Sequence, residues 1–162
     1  MKSLTEDERN RLMDEARKGD SIDRLVVIFS GYLGMRAEEI HYLNENWFSW
    51  QREEINIPEE DGEWPKKGKA RARTVDYGHL DERLKDYLSH YYRDHDSLDA
   101  YKATMYKRVE KLAEKAGIKT KVTLKTLRNT AAECRCEQIN GNVSRLAEEM
   151  GFTVQTAAKY CK

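Results

Sequence analysis

The chain has 162 residues, of which 39% are hydrophobic and 36% charged, enough apolar content for one domain with a real core and too much for a disordered chain. Its 29 basic and 29 acidic residues cancel, which excludes a uniformly basic nucleic-acid-coating protein and leaves local charge as the only electrostatic signal. No apolar run approaches the roughly 18 residues of a membrane span. The polar, acidic start Met1-Lys-Ser-Leu-Thr-Glu-Asp-Glu8 is no signal peptide, so a cytoplasmic location is expected.

Thr5 and Glu8 have capping-box spacing and open a first helix that runs to Lys18. Asp20 or Ser21 starts a second, in which Ile22, Leu25, Val26, Ile28, Phe29 and Leu33 go almost all round, the pattern of a central buried helix. Gly31-Tyr-Leu-Gly34 ends it. A third helix follows over 36–43, with Ile40 and Leu43 facing inward and Arg36 at its N-terminus. The helix dipole disfavours a cation there, so an arginine in that place is better explained by a ligand.

Trp47-Phe-Ser-Trp50 and Glu54-Ile-Asn-Ile57 alternate around a polar turn and predict a β-hairpin. The stretch 70–75 alternates small or apolar with basic residues and predicts a third strand, with Lys66, Lys67 and Lys69 on its connecting loop. Helical spacing returns over 80–91 and again over 98–116, the latter closed by Gly117. Thr123 caps a helix to Ile139, Asn140-Gly141 breaks it, and short helices follow over 143–150 and 153–160. No linker, repeat or domain boundary interrupts the chain. The prediction is a single domain over 1–162, mainly α with a small three-stranded antiparallel sheet.

Charge is unevenly placed. Residues 1–63 hold 16 acids and 8 bases, residues 64–75 five bases and no acid, and residues 102–128 nine bases against two acids. Two basic blocks in an acidic frame can build a local anion-binding surface. The plainer reading of Lys107, Lys111 and Lys115 is a solvated helix face. Cys134, Cys136 and Cys161 cannot all pair and lack zinc spacing, so they are expected to be reduced thiols. Neither a metal nor another cofactor is called for, and His41, His79, His90 and His95 carry no assigned chemistry.

Lys125 and Arg128 stand one helical turn apart, and about thirty residues later Tyr160 closes a short helical run. A tyrosine set against several cations suits attack on a phosphodiester through a covalent phosphotyrosine. That chemistry needs the non-bridging oxygens neutralised, the attacking oxygen in line, and a proton for the leaving oxygen. Guanidinium groups fit the first task and a lysine on a hairpin the last.

Four stretches carry a family resemblance. Leu33-Gly-Met-Arg-Ala-Glu-Glu-Ile-His-Tyr-Leu43 resembles the first-arginine box of tyrosine recombinases, the phage-type integrases and their archaeal viral relatives. Lys67-Gly68 and Arg73-Thr-Val75 resemble the following hairpin, Thr123-Leu-Lys-Thr-Leu-Arg128-Asn-Thr-Ala the second-arginine box, and Met150-Gly-Phe152 with Tyr160 the box that precedes the nucleophile. The resemblance covers about residues 20–162. It implies the recombinase catalytic-domain fold and cleavage of double-stranded DNA through a 3′-phosphotyrosine, with Arg36, Lys67, Lys125, Arg128, Phe152 and Tyr160 as the site. It also implies a homo-tetramer on DNA for the full-length enzyme, no membrane partner, and here a catalytic domain without the family's N-terminal DNA clamp and C-terminal docking helix. Glu39 would hold Arg36 in a salt bridge or touch catalysis directly. Two positions depart from the family: Lys125 stands where histidine is usual and Phe152 where histidine or tryptophan is usual, which leaves room for a DNA-binding member that does not cut. A third reading takes 144–160 as the helix-turn-helix of a regulator.

Overall fold

The computed structural model describes residues 2–65 and 72–161. Helices α1 (Glu6–Lys18) and α2 (Ser21–Val27) begin at the side-chain caps Thr5 and Asp20, the first a full capping box with Glu8. The second predicted helix does not run on as α. From Ile28 to Tyr32 it widens into a π turn, with Leu33 N–H bonded to Ile28 O at 3.1 Å and Met35 N–H to Phe29 O at 2.8 Å. The widened turn lies against the helix that carries Arg128; a Cβ at Gly31 would meet Leu127 at 3.6 Å.

Helix α3 (Ala37–Tyr42) has Arg36 as its N-cap residue. The predicted hairpin is shorter on its first side, because Trp47 belongs to a 3₁₀ turn (Glu45–Trp47) and only β1 (Phe48–Ser49) pairs. Strands β2 (Glu54–Ile57) and β3 (Arg73–Asp76) complete an antiparallel sheet of order β1-β2-β3, with Ile55 opposite both Phe48 and Val75. Among the described residues the third strand runs from Arg73 to Asp76; residues 70 and 71 of the predicted strand lie outside them. Lys67 and its neighbouring lysines lie outside the described residues.

Helix α4 (Glu82–Asp94) is capped by Asp81. Helix α5 (Lys102–Lys115) begins four residues later than its periodicity suggested, since Asp99 has φ 54° and Tyr101 is the extended N-cap. Helix α6 (Leu124–Gln138) is capped by Thr123, α7 (Val143–Met150) by Asn142, and α8 (Val154–Ala158) by Thr153. The fold is thus mainly helical with a three-stranded antiparallel sheet.

Two apolar clusters organise it. The larger joins α1 to α5, the sheet and the first turns of α6 around Phe29, Leu25, Ile40, Ile55 and Met105. The smaller lies between α6, α7 and α8 and comprises Ala132, Cys136, Ile139, Leu146, Ala147, Met150, Phe152 and Ala157, with Tyr160 and Cys161 packed on it. One sequence expectation fails here. Cys136 and Cys161 are not thiols but a disulfide, because the segment that follows α8 returns to α6 and brings their Cα atoms to 5.6 Å; Cys134 alone remains free. No helix among the described residues is long and apolar enough to cross a membrane.

Candidate active site

Two of the predicted cations, Arg36 and Arg128, meet where α3, α6 and the α7–α8 junction converge. Two glycines make that approach possible. Gly34 (φ +68°) precedes Arg36 by two residues, and a Cβ there would lie 2.1 Å from Met150 Cε. Gly151 (φ +68°) ends α7, and a Cβ there would lie 2.9 Å from Arg73 Cδ and 3.5 Å from Arg36 Nη1. Both take the left-handed conformation that glycine adopts without cost, and both leave backbone carbonyls close to guanidinium groups.

Arg128, on α6, uses them directly. Its Nε donates to Gly34 O at 2.9 Å and its Nη2 to Met150 O at 2.9 Å, while its guanidinium carbon sits 4.6 Å from the centroid of the Phe152 ring. Arg36 reaches the same junction from α3, donating to Gly151 O at 3.3 Å. Its side chain stays 42% exposed. Burial, with Arg36 and Arg73 beside it, pulls the Arg128 guanidinium down to about 10.

Arg73 is one of two residues whose part in the site sequence reasoning missed. Its side chain is 3% exposed and forms a two-armed pair with Glu39, itself 2% exposed, with Nε–Oε2 at 3.1 Å and Nη2–Oε1 at 2.7 Å. Its third nitrogen donates to the Glu149 carbonyl. Glu39 also accepts the backbone N–H of Arg36 at 2.8 Å and lies 3.8 Å from the Arg36 guanidinium, so the expected Arg36–Glu39 contact exists but is the weaker of two. Burial works against the Glu39 carboxylate, but Arg73 and the Arg36 N–H outweigh it and hold the carboxyl below its ordinary range. Glu39 is the carboxylate set among Arg36, Arg73 and Arg128, and the cluster keeps an excess of positive charge. That excess suits an oxyanion such as a phosphate.

The remaining predicted residues fall on both sides of this centre. Phe152 is buried and stacks on the Tyr160 ring, with centroids 5.2 Å apart and planes at 13°, so Arg128 and Tyr160 both lie against one phenyl ring. The Tyr160 hydroxyl donates to Asn129 Oδ1 at 2.6 Å. Burial raises the Tyr160 hydroxyl above its ordinary range, with Arg128 pulling the other way. Lys125 is exposed in the first turn of α6, on the same helix as Arg128 and Asn129. The structure therefore brings Arg36, Arg128, Phe152 and Tyr160 together, leaves Lys125 exposed on α6, and does not describe Lys67. Asn129 was also missed; it follows Arg128 in the matched box and nothing in its spacing marks it.

No curated protein sequence matches the chain significantly. Among solved structures, XerA recombinase superposes with a TM-score of 0.77 at 25% identity, over 98% of this chain and 59% of its own. The XerH site-specific recombinase in a post-cleavage complex with palindromic difH substrate gives 0.72 at 17% identity, over 98% and 49%. The catalytic domain of bacteriophage HP1 integrase gives 0.72 at 22%, over 99% and 86%. The chain thus spans only about half to three fifths of the two Xer proteins but most of the isolated catalytic domain, and its fold is that of tyrosine-recombinase catalytic domains. The family model described as the phage integrase family matches residues 2–153, which takes in the arginine cluster and its buried supports: this chain belongs to the phage integrase family.

Proposed function

We propose that the chain is the catalytic domain of a site-specific DNA recombinase or integrase that cuts and rejoins double-stranded DNA through a 3′-phosphotyrosine. The observation that carries this reading is the meeting of Arg36 and Arg128 at the Gly151 turn, with Tyr160 stacked on the phenyl ring that Arg128 covers. Arg36 and Arg128 neutralise the non-bridging oxygens of the scissile phosphate, and Lys125 adds a cation from α6. The Tyr160 hydroxyl gives its proton to solvent as its oxygen attacks phosphorus, the bond to the 5′ oxygen breaks, and Lys67 supplies that oxygen's proton. Rejoining reverses the step: a 5′-hydroxyl attacks the phosphotyrosine and Tyr160 leaves. Phe152 contributes packing, since a phenyl ring has no hydrogen bond to offer a phosphate. On DNA the full assembly is a homo-tetramer, as the sequence resemblance implies.

The test is a duplex carrying a nicked suicide site, resolved on a denaturing gel. A covalent DNA–protein adduct that disappears in Tyr160→Phe is the expected result. Binding without adduct, at authentic attachment sequences, would instead favour a DNA-binding member that does not cut; the engagement of the Tyr160 hydroxyl by Asn129 is the observation on that side. The helix-turn-helix reading has less support. Its second helix, α8, is five residues long, about 7.5 Å of helix, and Ala157 is buried in the small core.

A further inference from the structure

Tyr160 is fastened to α6 at two points. Its hydroxyl bonds Asn129, and the next residue, Cys161, is bonded to Cys136, seven positions further along the same helix. Seven residues of α-helix span about 10.5 Å, so the tyrosine and its following residue lie along α6 and are held at each end. Among the described residues, the other supports of the segment are the Phe152 ring stack and a short helix. Helix α8 has five residues, Tyr160 N–H bonds Ala157 O at 3.0 Å, and only Ala157 of α8 is fully buried.

Asn129 cannot let the hydroxyl travel far while the adjacent backbone is covalently fixed. Asn129 is itself 5% exposed and anchored through its Nδ2 to Lys2 O at 2.8 Å. The Cys136–Cys161 bond keeps the Cα of residue 161 at 5.6 Å from that of a buried position on α6, which restrains residues 159–161 against lifting away from α6. Reduction removes that restraint and leaves a single hydrogen bond and a ring stack. The bond is also reachable: an open cleft of about 470 Å³ is lined by Cys136, Cys161 and Tyr160 together with Glu133, Glu137, Asn140 and Gly141.

We propose that Cys136–Cys161 is a thiol–disulfide exchange site that latches the nucleophile: oxidised, it holds Tyr160 at rest against Asn129, and a dithiol reductant releases it for attack. In the exchange a thiolate of the reductant attacks one sulfur of the pair, and a mixed disulfide forms. Its second thiolate then displaces the remaining sulfur, giving two protein thiols and an oxidised dithiol with electrons balanced. Acidic Glu133 and Glu137 at the mouth of the cleft favour a reductant without negative charge. The inference rests on the phosphotyrosine reading of Tyr160, and its test separates the two.

The whole chain is prepared oxidised and then reduced with dithiothreitol, the state being fixed by alkylation and mass spectrometry. Amide hydrogen exchange of residues 154–161 and single-turnover adduct formation on the suicide duplex are measured in both states. The expected result is one alkylated cysteine before reduction and three after, with exchange and adduct formation each roughly tenfold faster in the reduced chain. Cys161→Ser, at a half-exposed position, should match the reduced chain in either condition, and Cys134→Ser should respond to dithiothreitol as wild type does. Three alkylated cysteines before reduction, or equal adduct rates in the two states, would overturn the latch while leaving strand cleavage standing. Redox-dependent exchange with no adduct in either state would overturn the cleavage reading itself.

Discussion

The arginines and the tyrosine of this site are held by different means, although they share the α7–α8 junction. On the arginine side, buried charge does the holding: Arg73 and Glu39 pair out of solvent, Arg128 is fixed by two backbone carbonyls, and the larger core lies directly behind. On the tyrosine side the support is a five-residue helix, one hydroxyl bond, one ring stack and a disulfide, over the smaller core. A phosphate-binding pocket gains from donors that need no rearrangement when charge arrives. A nucleophile that must be covalently attached in one state and free in another gains from a support that can yield. On the cleavage proposed above, the contrast is the one expected of a site in which a rigid half receives the phosphate and a movable half attacks it.

Breaking the rigid half should have the largest effect. Glu39→Ala leaves Arg73 buried without its counter-ion, a change that costs about 3–5 kcal/mol of stability in buried ion pairs. Chemical denaturation should show that loss, and Glu39→Gln, which keeps two acceptor lone pairs but no charge, should fall between the two. A loss below about 1 kcal/mol would mean that Arg73 is held by the Glu149 carbonyl and packing alone, and that the rigid half is not electrostatic in origin. Next in size is Arg128→Lys. Lysine keeps the charge but cannot reach Gly34 O and Met150 O while presenting a planar face, so adduct formation should fall about a hundredfold to a thousandfold with the fold intact by circular dichroism.

Much of this was legible in the sequence where the cause is local. The bounds of α7 at Val143 and Met150 follow from Asn142 and Gly151, a cap and a left-handed stop that act within one turn. Arg36 and Arg128 stood out because each sits in a patterned box at a helix start. Arg73 did not, since a basic residue in an alternating strand reads as solvent-facing; yet it lies two residues from buried Val75, on the same face, and that period was the available signal. The disulfide was beyond reach: residues 136 and 161 are 25 apart, and only the return of the segment after α8 to α6 makes them neighbours. The π turn at Ile28–Tyr32 was hidden for a similar reason, because an all-round apolar run says that a segment is buried without saying how tightly it winds.

Acid should separate two buried groups by where they act. Burial, with Arg135 adding to it, pulls the His79 imidazole down from 6.5 to about 4, so the folded chain keeps it neutral while the unfolded chain takes up a proton. Stability from this source is complete above pH 6.5 and declines as pH falls from 6.5 toward about 4. The Glu39 contribution has the same sign but a lower window: its folded carboxyl lies below the ordinary value of 4.5, so its share is present above 4.5 and is lost only as pH falls through the lower folded value. Thermal midpoints recorded from pH 7.5 downward should fall in two stages, and His79→Gln should flatten the first while keeping the second. A single stage unaffected by that substitution would show that His79 is hydrated in solution and does not report on the interior.

The smallest expected effect concerns the movable half. Asn129→Ala removes the acceptor of the Tyr160 hydroxyl and the donor to Lys2 O, so stability should fall by about 1 kcal/mol for each hydrogen bond lost. Its effect on cleavage decides what that hydroxyl bond is for. If Asn129 holds the tyrosine at rest, its removal makes the hydroxyl available, and single-turnover adduct formation should rise by up to about fivefold, the factor that corresponds to roughly 1 kcal/mol. The rise should be clearest after reduction, when the Cys136 tether no longer masks it. A fall of tenfold or more would mean instead that Asn129 aims the nucleophile, that the tyrosine is preorganised as firmly as the arginines, and that the division of the site into a rigid and a movable half is wrong.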